Sequence, residues 1–272
     1  MDKPENVKLI LPIEDADDMS GTDRPHRGTG RRFRGAIVNK MGVAILSGEY
    51  QPGDRMRGEI ESAEALDVSR SAYREAVQIL TAKGLVESRP KAGTRILPRD
   101  RWNILDPEVL AWAFAGEPSA EFVRDLFELR AVVEPAAAKL AAERRRKEHL
   151  KCMKDALGIM RRDTLARETG RAADRDFHDA ILRATGNGAI LALSASIGAA
   201  VKWTTQFKLR SRALPRDPIP DHVRVYEAIA AGNVEEAGKA MRNLVDLALE
   251  DTSWAMGGDS GKHAPQRAKA SN

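Results

Sequence analysis

Two groups of residues in this chain carry chemistry that an ordinary surface does not need. The first is Ser69, Arg70 and Ser71 with Arg74, inside the stretch ALDVSRSAYREAVQIL at 65–80. At about 100° per residue, Arg70, Ser71, Arg74, Glu75 and Gln78 share one half of a helical wheel. Ala72, Tyr73, Ala76, Val77, Ile79 and Leu80 fill the other half. A planar guanidinium can read a guanine edge with a two-pronged hydrogen bond, and serine hydroxyls suit phosphate oxygens. A solvated amphipathic helix has the same pattern, so its neighbours must decide. The second group is Asp174 and His178, four residues apart, with His222 further along. Such groups can ligate a divalent metal or activate water. As an exposed i,i+4 helix pair, Asp174 and His178 would contribute only a few tenths of a kcal/mol. Arg130 stands one turn before Glu134 and can simply pair with it.

A metal-dependent enzyme using Asp174, His178 and His222 is therefore one reading. Against it, the sequence holds no G-x-S-x-G, H-E-x-x-H, P-loop or G-x-G-x-x-G context. Of the other histidines, His26 and His263 fall in terminal tails and His149 in a charged stretch.

The elements that must position these residues follow from composition and pattern. A chain of 272 residues has room for two cores, and 42% hydrophobic with 5% aromatic content favours a mainly helical protein. The single cysteine, Cys152, excludes an intrachain disulfide framework and leaves no cysteine pair for zinc. No apolar run approaches the ~18 residues of a membrane span, and the N-terminus lacks the features of a signal peptide. The expectation is a cytoplasmic protein with no membrane partner. The net charge of +4 is unevenly spread. Residues 24–101 hold 16 Lys+Arg against 9 Asp+Glu, whereas residues 1–23 hold 2 against 7. A local basic surplus draws polyanions, nucleic acid foremost.

Residues 1–32 show no sustained period and read as a disordered tail. From Phe33 to Ser47 apolar residues recur at helical spacing until Gly48 and QPGD stop them. EIESAEAL is a short helix, DVS a tight turn, and Ser69 an N-cap for the next helix. Two helices so joined form a helix-turn-helix. LVESRPKAGTRILP then reads as a β-hairpin, completing a winged helix over residues 33–98. In that arrangement the second helix enters the major groove N-terminus first, which turns Ser69, Arg70, Ser71 and Arg74 toward double-stranded DNA.

GEYQPGDRMR followed by DVSRSAYREAVQILTAKGLVESRPKAGTRI resembles the DNA-binding domain of the GntR family of bacterial transcription regulators. The resemblance implies operator contacts from Ser69, Arg70, Ser71 and Arg74, and from the wing tip at Lys91, Gly93 and Thr94. Two positions depart from the family pattern: Lys91 replaces a usual glycine, and Arg57 a common proline. Both add positive charge.

Residues 99–117 read as a linker with a linker helix, its Trp102 and Trp112 expected to pack onto the following domain. Residues 118–254 read as an all-α bundle, with helices at about 146–163, 170–184, 188–210, 218–231 and 234–253. Pro135 is expected to kink or interrupt the first helix, Asn187 and Asn233 to cap later ones, and 255–272 to form a disordered tail. FELRAVVEPAAAKLAA, DRDFHDAILRATGN and DHVRVYEAIAAGNVEEAGKAM are similar to the FadR subfamily's ligand-binding domain, called FCD. That resemblance implies a cavity in which Asp174, His178 and His222 hold a divalent metal such as zinc, with Arg130 gripping a carboxylate effector. The subfamily's third histidine is replaced by Leu244. RWNILDPEVLAW is similar to the same stretch in the D-galactonate-responsive branch, which implies a sugar acid such as an aldonate or its 2-keto-3-deoxy derivative. The implied protein is a homodimeric, operator-binding repressor released by its effector. A constitutive DNA binder with a purely structural bundle is the remaining alternative.

Overall fold

The computed structural model describes residues 7–8, 29–89, 92–211 and 216–257. Both terminal tails expected from the sequence lie largely outside the described residues, as does Lys91 of the wing tip. The chain divides into two compact units, Met1–Glu117 and Pro118–Asn272. The described residues form eleven α-helices and one small sheet.

In the first unit, β1 (Val7–Lys8) lies within the segment expected to be a tail, and α1 (Thr29–Leu46) begins four residues earlier than its apolar period suggests. After β2 (Arg55–Met56) come α2 (Glu59–Ala65) and α3 (Arg70–Ala82). The turn between them places Asp67 at a φ of 52°, a left-handed conformation that aspartate tolerates better than most residues. The wing is β3 (Val86–Arg89) paired antiparallel with β4 (Gly93–Ile96), in the register Val86 to Ile96 and Ser88 to Thr94. The sheet order is β1-β2-β4-β3. Gly84 joins α3 to the wing at φ 72°, and a Cβ there would lie 2.2 Å from the carbonyl oxygen of Arg101.

The core of this unit gathers Met41 and Ile45 of α1, Tyr73, Ala76, Val77 and Leu80 of α3, and Leu85, Val86 and Ile96 of the wing. α4 (Pro107–Ala115), capped by Asp106, belongs to the same unit. Trp102 and Trp112 are buried in the core of this unit. The reason is local: Gly42 leaves a gap on α1 that the Trp112 ring fills, and the Trp102 indole N–H donates to the carbonyl of Leu97.

The second unit holds α5 (Ala120–Arg144), α6 (Lys147–Asp163), α7 (Glu168–Ala184), α8 (Gly188–Leu191), α9 (Ser194–Ser211), α10 (Ile219–Ala231) and α11 (Val234–Ala255). α5 packs on α11, α6 on α7, and α7 on α9. Asn187 and Asn233 cap α8 and α11 as the sequence suggests. The single helix expected over 188–210 is instead broken between α8 and α9, where the Leu193 N–H reaches three residues back, to Ile190. Pro135 does not interrupt α5. A proline leaves the carbonyl four residues before it without its helical donor. Here that carbonyl, of Ala131, accepts from the Arg242 guanidinium of α11 at 3.4 Å.

Candidate DNA-reading helix and effector cavity

α3 is amphipathic, and its N-terminus is fixed by Ser69, whose hydroxyl accepts from the Ala72 N–H and lies 3.0 Å from the Ser71 hydroxyl. Tyr73, Ala76, Val77 and Leu80 are buried, while Ser69, Arg70, Ser71 and Arg74 are exposed. Ile79, on the apolar half of the wheel, is also exposed at the edge of the helix. Arg74 is held by Glu59 of α2 in a two-pronged pair, Nη2 to Oε1 at 2.8 Å and Nε to Oε2 at 3.4 Å. In the wing, Gly93 is exposed at φ 76°, a conformation favoured by glycine. Thr94 differs from the DNA-facing role its place in the wing implied. Its side chain is buried, with its hydroxyl donating to Ser88, because the alternation of β4 turns it inward with Ile96.

The second group of predicted residues meets inside the bundle. Arg130 of α5, Asp174 and His178 of α7, and His222 of α10 are all at least 96% buried and line one cavity. The ligand atoms of Asp174, His178 and His222 lie within 4.8 Å of one another. His222 Nε2 is 3.0 Å from Asp174 Oδ1, and His178 Nε2 is 3.8 Å from the same oxygen. His222 Nδ1 lies 2.8 Å from the Pro218 carbonyl oxygen. A carbonyl only accepts, so Nδ1 donates there, and in the neutral tautomer Nε2 would face Asp174 with a lone pair. Two acceptors at 3.0 Å need a proton or a cation between them. His178 is arranged alike, with Nδ1 2.5 Å from Glu134 Oε2, off hydrogen-bond alignment, and Nε2 toward Asp174. A ring fixed on Nδ1 by a carbonyl, as in His222, with its Nε2 and that of a second histidine converging on a carboxylate, is an arrangement suited to a metal-binding histidine pair. The donor set fits a divalent metal with open positions.

Electrostatics agree with a charged interior. Burial alone would raise the Glu134 carboxyl, but the charges of Arg130 and His178 outweigh it and hold it down at about 2. Burial also works to raise Asp174, and the His222 hydrogen bond and charge reverse this to a net lowering. Arg130 pairs with Glu134 at 2.6 Å while it faces the cavity, so pairing and lining coexist. Lys208, Arg216 and Asp251 also line it and were not singled out from the sequence. The signal was present: Val201, Thr204, Thr205 and Lys208 recur at helical spacing on α9 and all line the cavity, but the pattern reads as an ordinary amphipathic face. Leu244 faces the cavity from α11. The cavity holds only about 30 Å³, room for a water or two.

A winged helix with an exposed recognition face carrying Arg70 and Arg74, followed in the same chain by a helical unit with a polar cavity, is the make-up of a DNA-binding regulator. Comparison with known proteins agrees: the model of bacterial regulatory proteins of the gntR family matches residues 34–96, and that of the FCD domain matches residues 125–247. The helix-turn-helix-type transcriptional regulator YieP of Escherichia coli K12 is 33% identical over 212 residues, 77% of this chain and 90% of that protein. The galactonate operon transcriptional repressor of the same organism is 30% identical over 210 residues, 77% of this chain and 92% of that protein. Among solved structures, Lar, described as controlling expression of the Listeria monocytogenes agr system, shares the fold with a TM-score of 0.60 at 18% identity. That match covers 85% of this chain and 99% of Lar. The chain belongs to the GntR family and carries an FCD domain of the FadR-like subfamily. It is a transcription regulator and not an enzyme. GntR regulators bind operator DNA, FCD domains bind small effectors, and no helix of the described residues is long and apolar enough to cross a membrane.

Proposed function

We propose that this regulator is a homodimeric repressor whose grip on a two-fold operator is released by a sugar acid. The convergence of Arg130, Asp174, His178 and His222 on one cavity carries the reading. Asp174, His178 and His222 hold a divalent metal such as zinc, which supplies a Lewis-acid anchor for carboxylate and hydroxyl oxygens. Arg130, kept in place by Glu134, turns its remaining N–H groups to the effector's carboxylate. The sugar-acid class is supported by the galactonate repressor among the relatives and by the WNILDPEVLAW stretch. Ser69, Arg70, Ser71 and Arg74 contact the operator, with Gly93 and Lys91 at the wing tip. Two copies are needed because one recognition helix reads too few base pairs.

Cavity size gives the release mechanism. A volume of about 30 Å³ is far below the ~300 Å³ of ordinary ligand pockets. An effector enters only by parting the helices that line the cavity, so occupancy favours a second arrangement of the bundle. A few kcal/mol of preference is enough to switch operator binding.

The test selects duplexes bound by the full chain from a random pool, then titrates aldonates and 2-keto-3-deoxy acids while fluorescence anisotropy follows the complex. Release by one of them with no turnover is expected; indifference to all leaves a constitutive binder. Arg130→Lys should weaken the response at least about tenfold with operator affinity intact, since lysine keeps the charge but loses the planar fork. Arg130→Ala is the poorer test, because it would strand Glu134 in the interior at a cost of about 3–5 kcal/mol.

A further inference from the structure

Most charged side chains lining the cavity are matched. Arg130 pairs with Glu134, Arg216 with Asp221 at 2.5 Å and Asp251 at 3.3 Å, and Asp174 with His222. Lys208 is different: it is 93% buried, lines the cavity, and has no hydrogen-bond or ion-pair partner among the described residues. The Arg216 Nε, beside it in the lining, is a buried donor without an acceptor. Burial lowers the Lys208 ammonium to about 8 against the pull of Asp251 and Asp174, which still leaves it mainly charged at neutral pH. An interior ammonium without a hydrogen-bonding partner is unfavourable. A group kept in that state is explained if a ligand completes it.

We infer that Lys208 and the Arg216 Nε form a second anion-binding end of the effector cavity, so that the effector is a sugar acid with two anionic groups. The inference rests on the reading of the cavity as a metal-assisted carboxylate site. With a divalent ion on Asp174, that corner carries one unbalanced positive charge, while Lys208 feels the pull of Asp251 yet has no hydrogen-bonding partner of its own among the described residues. One carboxylate goes to the metal corner and Arg130. The second anionic group, a terminal carboxylate or a phosphate, goes to Lys208. Thr204 and Thr205, one turn before Lys208 on the same face, line the stretch that the hydroxyl-bearing carbons would occupy.

The test is calorimetric titration of the full chain carrying one zinc per subunit with D-galactonate, galactarate and 6-phosphogluconate. The expected result is at least about tenfold tighter binding, or 1.4 kcal/mol, of a dianion over the monoanion. Whichever dianion wins identifies the second group as carboxylate or phosphate. Lys208→Met, which keeps the side-chain length and removes the charge, should bring the dianion to within about twofold of D-galactonate. Galactonate binding as tightly as both dianions overturns the second end while leaving the sugar-acid reading in place. If none of the three binds, both fail.

Discussion

Arg74 Nη2 lies 2.8 Å from Glu59 Oε1, tying the recognition helix to the first residue of the helix before it. Their side chains are 66% and 37% exposed, so the pair itself contributes no more than about 1 kcal/mol to folding. Its effect falls on DNA reading, because Glu59 holds the guanidinium in one orientation and subtracts a charge from the basic face. Glu59→Ala should therefore leave stability within about 1 kcal/mol of wild type. Binding to scrambled duplex should strengthen and discrimination in favour of operator should fall, by roughly three- to tenfold, less than one direct base contact is worth. Anisotropy on operator and scrambled duplexes at two salt concentrations measures both; an unchanged ratio would mean that the pair has no part in reading.

Gly42 of α1 and Trp112 of α4 leave no room for a methyl group between them. A Cβ at position 42 would sit 2.4 Å from two ring carbons of Trp112, in a fully packed core. Gly42→Ala improves helix propensity by about 1 kcal/mol, yet the ring must move, and overpacking of this kind costs about 1–3 kcal/mol. Net destabilisation is expected in urea unfolding, with partial rescue by Trp112→Phe. A stabilised Gly42→Ala variant would show that α4 detaches freely from α1.

The winged helix was legible because its signals are local. The Ser69 cap, the left-handed turn at Asp67 and the hairpin each depend on a few adjacent residues. Within the bundle, Asp174 and His178 were legible as a pair one turn apart, and only resemblance to a family linked them to His222, 48 residues apart in sequence from Asp174. Lys208, Arg216 and Asp251 were not legible as site residues, since they come from α9, the segment before α10, and α11, and meet only by packing. The continuity of α5 through Pro135 was hidden for the same reason: the donor that serves the carbonyl it frees, Arg242, comes from another helix.

Both histidine Nε2 atoms face Asp174, at 3.0 and 3.8 Å, which on the proposed reading makes its carboxylate the ligand that holds the metal. Asp174→Asn keeps the shape but removes the charge. Elemental analysis after dialysis against zinc should find one ion per wild-type chain and much less on the variant, with affinity lowered at least about a hundredfold. Thermal stability supplies a second readout. Zinc at a hundred times its Kd should stabilise the wild type by about 2.7 kcal/mol, and the variant hardly at all. Equal zinc content in both proteins would remove Asp174 from the ligand set.

The unmatched charge of Lys208 gives a pH signature with a definite sign. Burial lowers the folded-state pKa to about 8 from the ordinary 10.5, so between these values the unfolded chain binds the extra proton and the folded chain does not. Stability must then rise with pH across that window, by an amount on the order of 3 kcal/mol in the ligand-free, metal-free protein. Below pH 8 the folded protein carries the unfavourable ammonium and this gain is absent. In Lys208→Met the same contribution should be present at every pH, making the variant more stable than wild type at pH 7 and converging with it near pH 10.5. Urea unfolding of both proteins at intervals from pH 7 to 10.5 gives the difference directly, and the titrations of all other groups cancel in it. A constant difference across the range would show that Lys208 is as well solvated in the folded protein as in the unfolded chain, and that the cavity leaves no buried charge for an effector to complete.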